Sequence, residues 1–170
     1  MPRSLATLHL ISGLPCSGKT TYSRSLAEST GAVLFSLDRW LITCFGRYSI
    51  AEVGHDEHVR RVRACRGLIL ENALELTTRG SDAILDDGFF LRADRAATAA
   101  QGTAAGARVK IHHLDAPLPE LETRLSVRNQ SLPTYNFFIR SDTLAEFLDL
   151  YETPTEGEGG ELVHTRFAAT

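Results

Sequence analysis

Short apolar runs alternate along the chain with longer stretches in which apolar residues recur every three or four positions. The short runs are typical of strands buried in a parallel sheet, and the periodic stretches are typical of amphipathic helices. This alternation predicts an α/β domain. We predict strands over residues 5–11, 32–36, 82–90, 107–115 and 161–165. We predict helices over residues 20–28, 55–79, 91–105 and 141–150, and one more that starts at Pro117 and Pro119.

Three segments depart from this regular pattern. Polar residues alternate with apolar ones over 107–115, so we expect this strand to be less buried than the others. Residues 44–54 contain Gly46 and Gly54 and are expected to form a loop or a short lid. Residues 152–160 are acidic and rich in glycine, which favours an exposed loop.

The most specific motif follows the first predicted strand. Residues 13–20 match the pattern G-x-x-x-x-G-K-[ST] of a phosphate-binding loop without a mismatch. Its glycines let successive backbone N–H groups point inward, and the following helix adds the partial positive charge of its N-terminus. Lys19 can reach the outer phosphates, and Thr20 offers a hydroxyl to a magnesium ion. We expect the nucleotide to contact Gly13, Leu14, Pro15, Cys16, Ser17, Gly18, Lys19, Thr20 and Thr21.

Length and charge set the broad class of the protein. The 170 residues suffice for a single domain over residues 1–170 with a substantial core. A formal net charge of -3 gives no general attraction to nucleic acid or anionic lipid. The three cysteines are odd in number and lack the spacing of metal ligands, which favours reduced thiols. Because neither a signal-peptide pattern nor an apolar stretch of bilayer length is found, we expect a cytoplasmic protein without membrane contact.

Leu37-Asp38-Arg39 follows the second predicted strand, where the C-terminal end of a parallel strand opens toward ligands. In one interpretation, Asp38 accepts the proton of a substrate hydroxyl, and Arg39 orients the substrate or pairs with phosphate. In the other, Asp38 caps a helix from Trp40 to Cys44, and Arg39 is a solvated charge. Position alone favours neither interpretation.

Two carboxylates, Asp86 and Asp87, stand at the C-terminal end of the third predicted strand. A phosphate-loop enzyme holds magnesium with an acidic residue at this place, either directly or through water. We favour Asp86 because it ends the apolar run. Asp87 precedes Gly88, and the pair could instead belong to a turn.

Basic residues cluster at several other places. Arg92 and Arg95 start the helix after the third strand, and we expect them near the substrate. Arg124 and Arg128 are four residues apart and hence on one helix face, where they could clamp transferring phosphoryl oxygens or simply face solvent. We interpret Arg60, Arg61, Arg63 and Arg66 as the wet face of an amphipathic helix rather than a substrate site. We expect His55, His58, His112 and His113 to be surface or packing residues rather than metal ligands or catalysts.

The phosphate loop, residues 37–39, 85–90 and 114–117 and the arginines within 124–129 occur in an order that resembles small phosphate-loop kinases. This group, known as AAA-type ATPase domains or as zeta-toxin-like, is similar in organisation to polynucleotide 5′-kinase and gluconate kinase. The resemblance covers Leu8 to about Glu158. It implies an adenylate-kinase-like, three-layer α/β/α fold whose five parallel strands have the second strand at one edge.

The resemblance also implies that the γ-phosphoryl group of Mg-ATP moves to a hydroxyl of a small molecule. By matching residues, Asp38 activates the acceptor hydroxyl, Arg124 and Arg128 are lid arginines, and the loop with Pro154 lies against adenine. A nucleic-acid acceptor is not favoured, because Leu37 stands where polynucleotide kinases often have another acidic residue. The alternatives are a polynucleotide 5′-hydroxyl kinase, a toxin that phosphorylates a nucleotide-sugar, and an ATPase switch that binds a protein partner.

Overall fold

The computed structural model describes residues 5–166, in which a five-stranded sheet is covered by seven helices. The strands are β1 (Thr7–Ser12), β2 (Val33–Ser36), β3 (Ala83–Gly88), β4 (Arg108–Asp115) and β5 (Glu161–Arg166). The helices are α1 (Lys19–Thr30), α2 (Leu37–Phe45), α3 (Ile50–Val53), α4 (His55–Thr78), α5 (Arg92–Ala104), α6 (Leu118–Gln130) and α7 (Ser141–Leu150). The predicted strands are all present, and the predicted helices agree within a few residues.

The sheet is parallel throughout and has the order β2-β3-β1-β4-β5. The predicted five-stranded parallel sheet with β2 at one edge is therefore confirmed. Strand β1 lies at the centre, so the loop that follows it opens between β3 and β4. In such sheets ligands bind beyond the C-terminal ends of the strands.

The two faces of the sheet bury different side chains, because successive residues of a strand point to opposite sides. Leu8 and Leu10 of β1 belong to a core with residues of α4 and α5, including Ile69 and Ala99. Ile11 faces the other way, into a cluster with residues of α1. The result is the three-layer α/β/α arrangement that the sequence predicts. A further apolar cluster joins α6 to α7 through Leu121, Leu125 and Leu144.

The structure confirms one prediction about burial in part and corrects another. Strand β4 is less buried than β1 and β3, as expected, because Arg108 and Asp115 at its ends are exposed, but it is more buried than the edge strand β2. Its two histidines are buried packing residues, and His112 is hydrogen-bonded to His9 at 2.8 Å and to the Tyr22 hydroxyl at 2.7 Å. The 152–160 loop is not wholly exposed, since Pro154 and Glu158 are buried.

The 44–54 segment contains more structure than the expected loop. Helix α3 occupies its second half, and Ser49 and Glu52 form a reciprocal capping box at the start of this helix. Over residues 5–166, none of the helices combines the length and apolar character needed to cross a membrane.

Candidate active site

The phosphate-binding loop runs from the end of β1 to the start of α1. A side chain at Gly13 would lie 2.7 Å from Ser17 Oγ and 2.8 Å from the Leu114 carbonyl oxygen, so only glycine fits there. Gly18 has a φ of 94° directly before α1, a conformation that glycine adopts without steric cost. Cys16 has a φ of 66°, which costs a non-glycine residue about 1–2 kcal/mol. Such strain is typical of functional sites.

A large cavity opens beside this loop and has a volume of about 1780 Å³. Its lining includes the residues with predicted catalytic or metal-binding roles, which are Lys19, Thr20, Asp38, Asp86, Arg124 and Arg128. Pockets for one drug-sized ligand typically measure about 300–1,000 Å³. The cavity is therefore large enough to hold two ligands side by side.

Asp86 and Thr20 meet at the floor of the cavity. Asp86 pairs with Ile11 in the register of β1 and β3, which brings its carboxylate to the start of α1. Thr20 Oγ1 donates a hydrogen bond to Asp86 Oδ2 at 3.1 Å. Burial raises the pKa of Asp86, while the Lys19 ammonium and the Thr20 hydrogen bond act in the opposite direction. The two predicted magnesium ligands are thus in direct contact.

Asp38 lies in the first turn of α2 and lines the same cavity. The residue that caps this helix is Ser36, whose Oγ accepts from the Arg39 backbone N–H at 3.5 Å, so the capping interpretation of Asp38 is wrong. The side chain of Asp38 is accessible from the cavity, while the surrounding protein keeps much of the bulk water away from its carboxylate. This desolvation raises the pKa of Asp38 to about 6; the Lys19 ammonium opposes the increase, and Asp86 adds to it.

Lys19 begins α1 and is the positive charge that acts most strongly on the pKa of both carboxylates. Its Nζ donates a hydrogen bond to the Leu14 carbonyl oxygen at 2.8 Å, across the loop. Burial lowers the pKa of Lys19, whereas Asp86 and Asp38 act to raise it. The ammonium is therefore positioned between the loop and the two carboxylates.

Arg124 and Arg128 reach the cavity from the side of α6. Arg124 Nη1 donates to the Cys16 carbonyl oxygen at 3.2 Å, and Arg124 also pairs with Glu120. Arg128 Nη2 donates to the Phe137 carbonyl oxygen at 3.4 Å. Arg128 Nε is buried and has no hydrogen-bond partner within residues 5–166. A buried, unsatisfied guanidinium nitrogen beside a phosphate-binding loop fits an anionic ligand.

The other three arginines with predicted substrate contacts differ in position. Arg39 lines the cavity, with its guanidinium carbon 5.2 Å from the centre of the Tyr135 ring. Arg92 is not among the lining residues; its side chain is largely exposed, and its Nε lies 3.9 Å from Glu158. Arg95 is fully buried and forms two hydrogen bonds with Glu158 at 2.6 and 3.0 Å. The prediction that Arg95 contacts the substrate is therefore wrong, because its guanidinium is paired with Glu158 inside the fold.

Sequence reasoning missed the role of Arg66. Arg66 belongs to the arginine-rich stretch of α4, and its guanidinium donates two hydrogen bonds, both of 2.6 Å, to the Asp87 carboxylate. Arg66 also lies 3.3 Å from Asp94. Asp87 is thus part of an ion pair at the cavity wall rather than a turn residue. By contrast, Arg60 pairs with Glu57 on the exposed surface of α4, as the wet-face interpretation predicts. Arg61 departs from that interpretation, because its side chain is largely buried and its guanidinium lies 4.7 Å from the centre of the Tyr48 ring.

The donor set at the floor of the cavity fits a magnesium ion held together with phosphates. Thr20 and Asp86 supply oxygen atoms, which magnesium prefers. The described part of the chain contains no group of three His, Cys, Asp or Glu residues that could hold a metal by itself. A magnesium ion at this place would therefore take its remaining ligands from phosphate oxygens and water, as is usual for this metal.

Residues 8–154 match the model of a family described as an AAA domain. No curated protein matches the chain in sequence. Among solved structures, a candidate kinase from Chloroflexus aurantiacus J-10-fl is 19% identical, with a TM-score of 0.75 over 96% of this chain and 89% of that one. Kti12 from Chaetomium thermophilum, solved with ADP-AlF3, is 15% identical, with a TM-score of 0.69 over 94% and 89%. A gluconokinase from Sinorhizobium meliloti 1021 is 17% identical, with a TM-score of 0.63 over 99% and 86%. These likenesses show the fold of a phosphate-loop kinase.

Proposed function

Because the chain belongs to the AAA domain family, we propose that it is a kinase that transfers the γ-phosphoryl group of ATP to a hydroxyl group of a small molecule. One observation carries this proposal. The phosphate-binding loop and Asp38 line one cavity, which is large enough for a nucleotide and an acceptor together. The narrower resemblance to zeta-toxin-like and polynucleotide kinases remains a prediction.

In the proposed reaction, Asp38 is the general base. The acceptor hydroxyl gives its proton to the Asp38 carboxylate, and its oxygen forms a bond to the γ-phosphorus. The bond from that phosphorus to the β–γ bridging oxygen breaks, so ADP leaves with the electron pair. A pKa of about 6 suits this role, since Asp38 is ionised at neutral pH but remains basic enough to accept a proton.

The other residues bind and stabilise the transferring group. The backbone of residues 13–20 and Lys19 hold the phosphates, and Arg124 and Arg128 neutralise negative charge on the phosphoryl oxygens. Thr20 and Asp86 would hold the magnesium ion, which supplies further positive charge at these oxygens. The hydrogen bond between Thr20 and Asp86 keeps this pair in place.

This proposal and the ATPase switch differ in what accepts the phosphoryl group, which is a hydroxyl compound in the first and water in the second. The distinguishing measurement is ADP release with and without hydroxyl compounds. A kinase releases ADP in proportion to phosphorylated acceptor, which mass spectrometry identifies. ADP release that is the same with and without every compound in the screen would contradict transfer to a small molecule.

A further inference from the structure

The part of the cavity beyond Asp38 is lined by aromatic rings. Helices α2 and α3, the start of α4 and the 131–140 segment enclose it. We call its ring-bearing surface the aromatic wall, which consists of Trp40, Tyr48, Tyr135, Phe137 and Phe138. Tyr135 is 42% exposed and Phe138 is 62% exposed, so both rings offer apolar surface to a bound molecule.

Contacts between the loop after α2 and the 131–140 segment hold the aromatic wall in shape. Arg47 Nη2 donates to the carbonyl oxygens of Pro133 and Thr134 at 2.6 and 2.9 Å, which ties the loop after α2 to the 131–140 segment. The rings of Tyr48 and Phe137 meet edge to face with centres 5.2 Å apart. A preformed wall binds a rigid planar group without first paying the entropy of ordering its own side chains.

Two of the three arginines that line this part of the cavity are engaged by carboxylates of the protein itself. Arg66 binds the Asp87 carboxylate through two hydrogen bonds, and Arg140 binds Asp142 in the same way at 3.0 and 2.6 Å. His58 is hydrogen-bonded to the Tyr48 hydroxyl at 3.2 Å. Within the described residues, Arg39 is thus the one arginine on α2, α4 and the 131–140 segment that lines the cavity without a carboxylate partner, and it lies over the Tyr135 ring.

From the aromatic wall, we infer that the reacting hydroxyl of the acceptor is carried by an aromatic body. The hydroxyl is placed at Asp38 while the ring packs against Trp40 and Phe138. This inference rests on the proposed function, because it describes the second substrate of the same site.

The chain contains a single tryptophan, Trp40, so its fluorescence reports directly on this wall. The test titrates the protein, saturated with a nonhydrolysable ATP analogue, with four matched probes: phenyl glucoside, phenyl glucuronide, glucose and glucuronate. We expect phenyl glucoside to bind at least tenfold more tightly than glucose, and phenyl glucuronide at least tenfold more tightly than glucuronate. Equal affinities of each phenyl compound and its parent sugar, or no binding of either phenyl compound, would overturn the inference.

Two variants locate the binding on the wall. Phe138→Ala removes an exposed ring, and we expect at least a fivefold loss of affinity for phenyl glucoside with unchanged affinity for the ATP analogue. Leu68→Ala is the matched control, since Leu68 is 52% exposed on α4 and is not among the residues that line the cavity. Equal effects of the two substitutions would contradict binding at the wall.

The same probes separate a failure of the inference about the acceptor from a failure of the proposed kinase function. Phosphorylation of glucose or glucuronate in preference to the phenyl compounds would overturn this inference and leave the proposed function standing. Tight binding of phenyl glucoside without phosphoryl transfer from ATP to any of the four probes would support the wall as a binding site and count against the proposed function.

Discussion

Asp38 shows how the surroundings of one residue adapt it to proton transfer. An ordinary aspartate is a weak base at neutral pH, because its pKa lies near 3.9 in water. Desolvation in the cavity raises the pKa of Asp38 to about 6, against the opposing effect of Lys19. Asp86 differs in having a hydroxyl partner, Thr20, and a position at the phosphate end of the cavity. The two carboxylates are therefore suited to different tasks, one to proton transfer and one to holding a metal.

Substitutions at Asp38 and Lys19 separate transfer from nucleotide binding. Asp38→Asn keeps the shape of the side chain and removes the base, so we expect transfer to fall by about 10²- to 10⁴-fold. ATP affinity, measured by calorimetry, should stay nearly unchanged in this variant. Lys19→Ala removes a charge that contacts the phosphates and should weaken both transfer and ATP binding. Equal loss of nucleotide affinity in the two variants would count against this division of roles.

The pKa of Asp38 also predicts how the rate depends on pH. Below about pH 6 the carboxyl is protonated and cannot accept a proton, so kcat/KM for the acceptor should fall about tenfold for each pH unit. Above about pH 7 the carboxylate is ionised and the rate should level off. The residual activity of Asp38→Asn serves as the control and should lack this acidic limb. An identical limb in that variant would assign the titration to another group.

At the scale of elements, a buried ion pair joins β3 and α5 to the loop before β5. Arg95 donates to the Phe89 carbonyl oxygen at 2.9 Å as well as to Glu158, and Glu158 accepts from the Thr155 backbone N–H at 2.9 Å. Phe89 has a φ of 44°, and its carbonyl oxygen also accepts from Ser12 Oγ at 3.1 Å. The ion pair thus stabilises the strained turn at Phe89, which contacts Ser12, the residue that precedes the phosphate-binding loop.

Removing one partner of this pair should destabilise the fold. Both side chains are fully buried, so Glu158→Gln leaves the Arg95 charge unpaired, and we expect a loss of about 3–5 kcal/mol in the free energy of unfolding. Glu75→Gln is the matched control, because Glu75 pairs with Arg79 on the exposed surface of α4 and such pairs contribute about 0–1 kcal/mol. Urea denaturation measures both. Similar losses in the two variants would refute a structural role for the buried pair.

At the scale of the whole molecule, the sequence predicts the features that depend on local chain geometry. The strand, loop and helix around Gly13 and Lys19 follow from one continuous motif. The position of Asp86 follows from the end of an apolar strand, and the edge position of β2 follows from the resemblance to small kinases. These predictions need only a short stretch of sequence or a known order of elements, and they do not require the pairing of side chains between distant elements.

Pairings between distant elements could not be predicted in this way. Whether Arg66 faces solvent or Asp87 depends on how α4 is rotated against β3, and a charge-rich helix pattern does not specify that rotation. The place of Arg95 in the first turn of the helix after β3 predicts a position near the substrate, but its partner Glu158 lies 63 positions away in the chain, and no local pattern indicates that pairing. The polar residues of β4 predict a less buried strand, yet His112 among them is buried, because its ring nitrogens are hydrogen-bonded to His9 and Tyr22 inside the fold.

The central claim is that Asp38 faces the terminal phosphate across a space that admits a hydroxyl group. The most direct test is a crystal structure of the protein with magnesium and a nonhydrolysable ATP analogue. We predict a carboxylate oxygen of Asp38 within about 7 Å of the γ-phosphorus, the sum of a reacting distance and a hydrogen bond, with open space between them. An Asp38 side chain that points away from the phosphate, or a protein side chain that fills the space between them, would contradict the account.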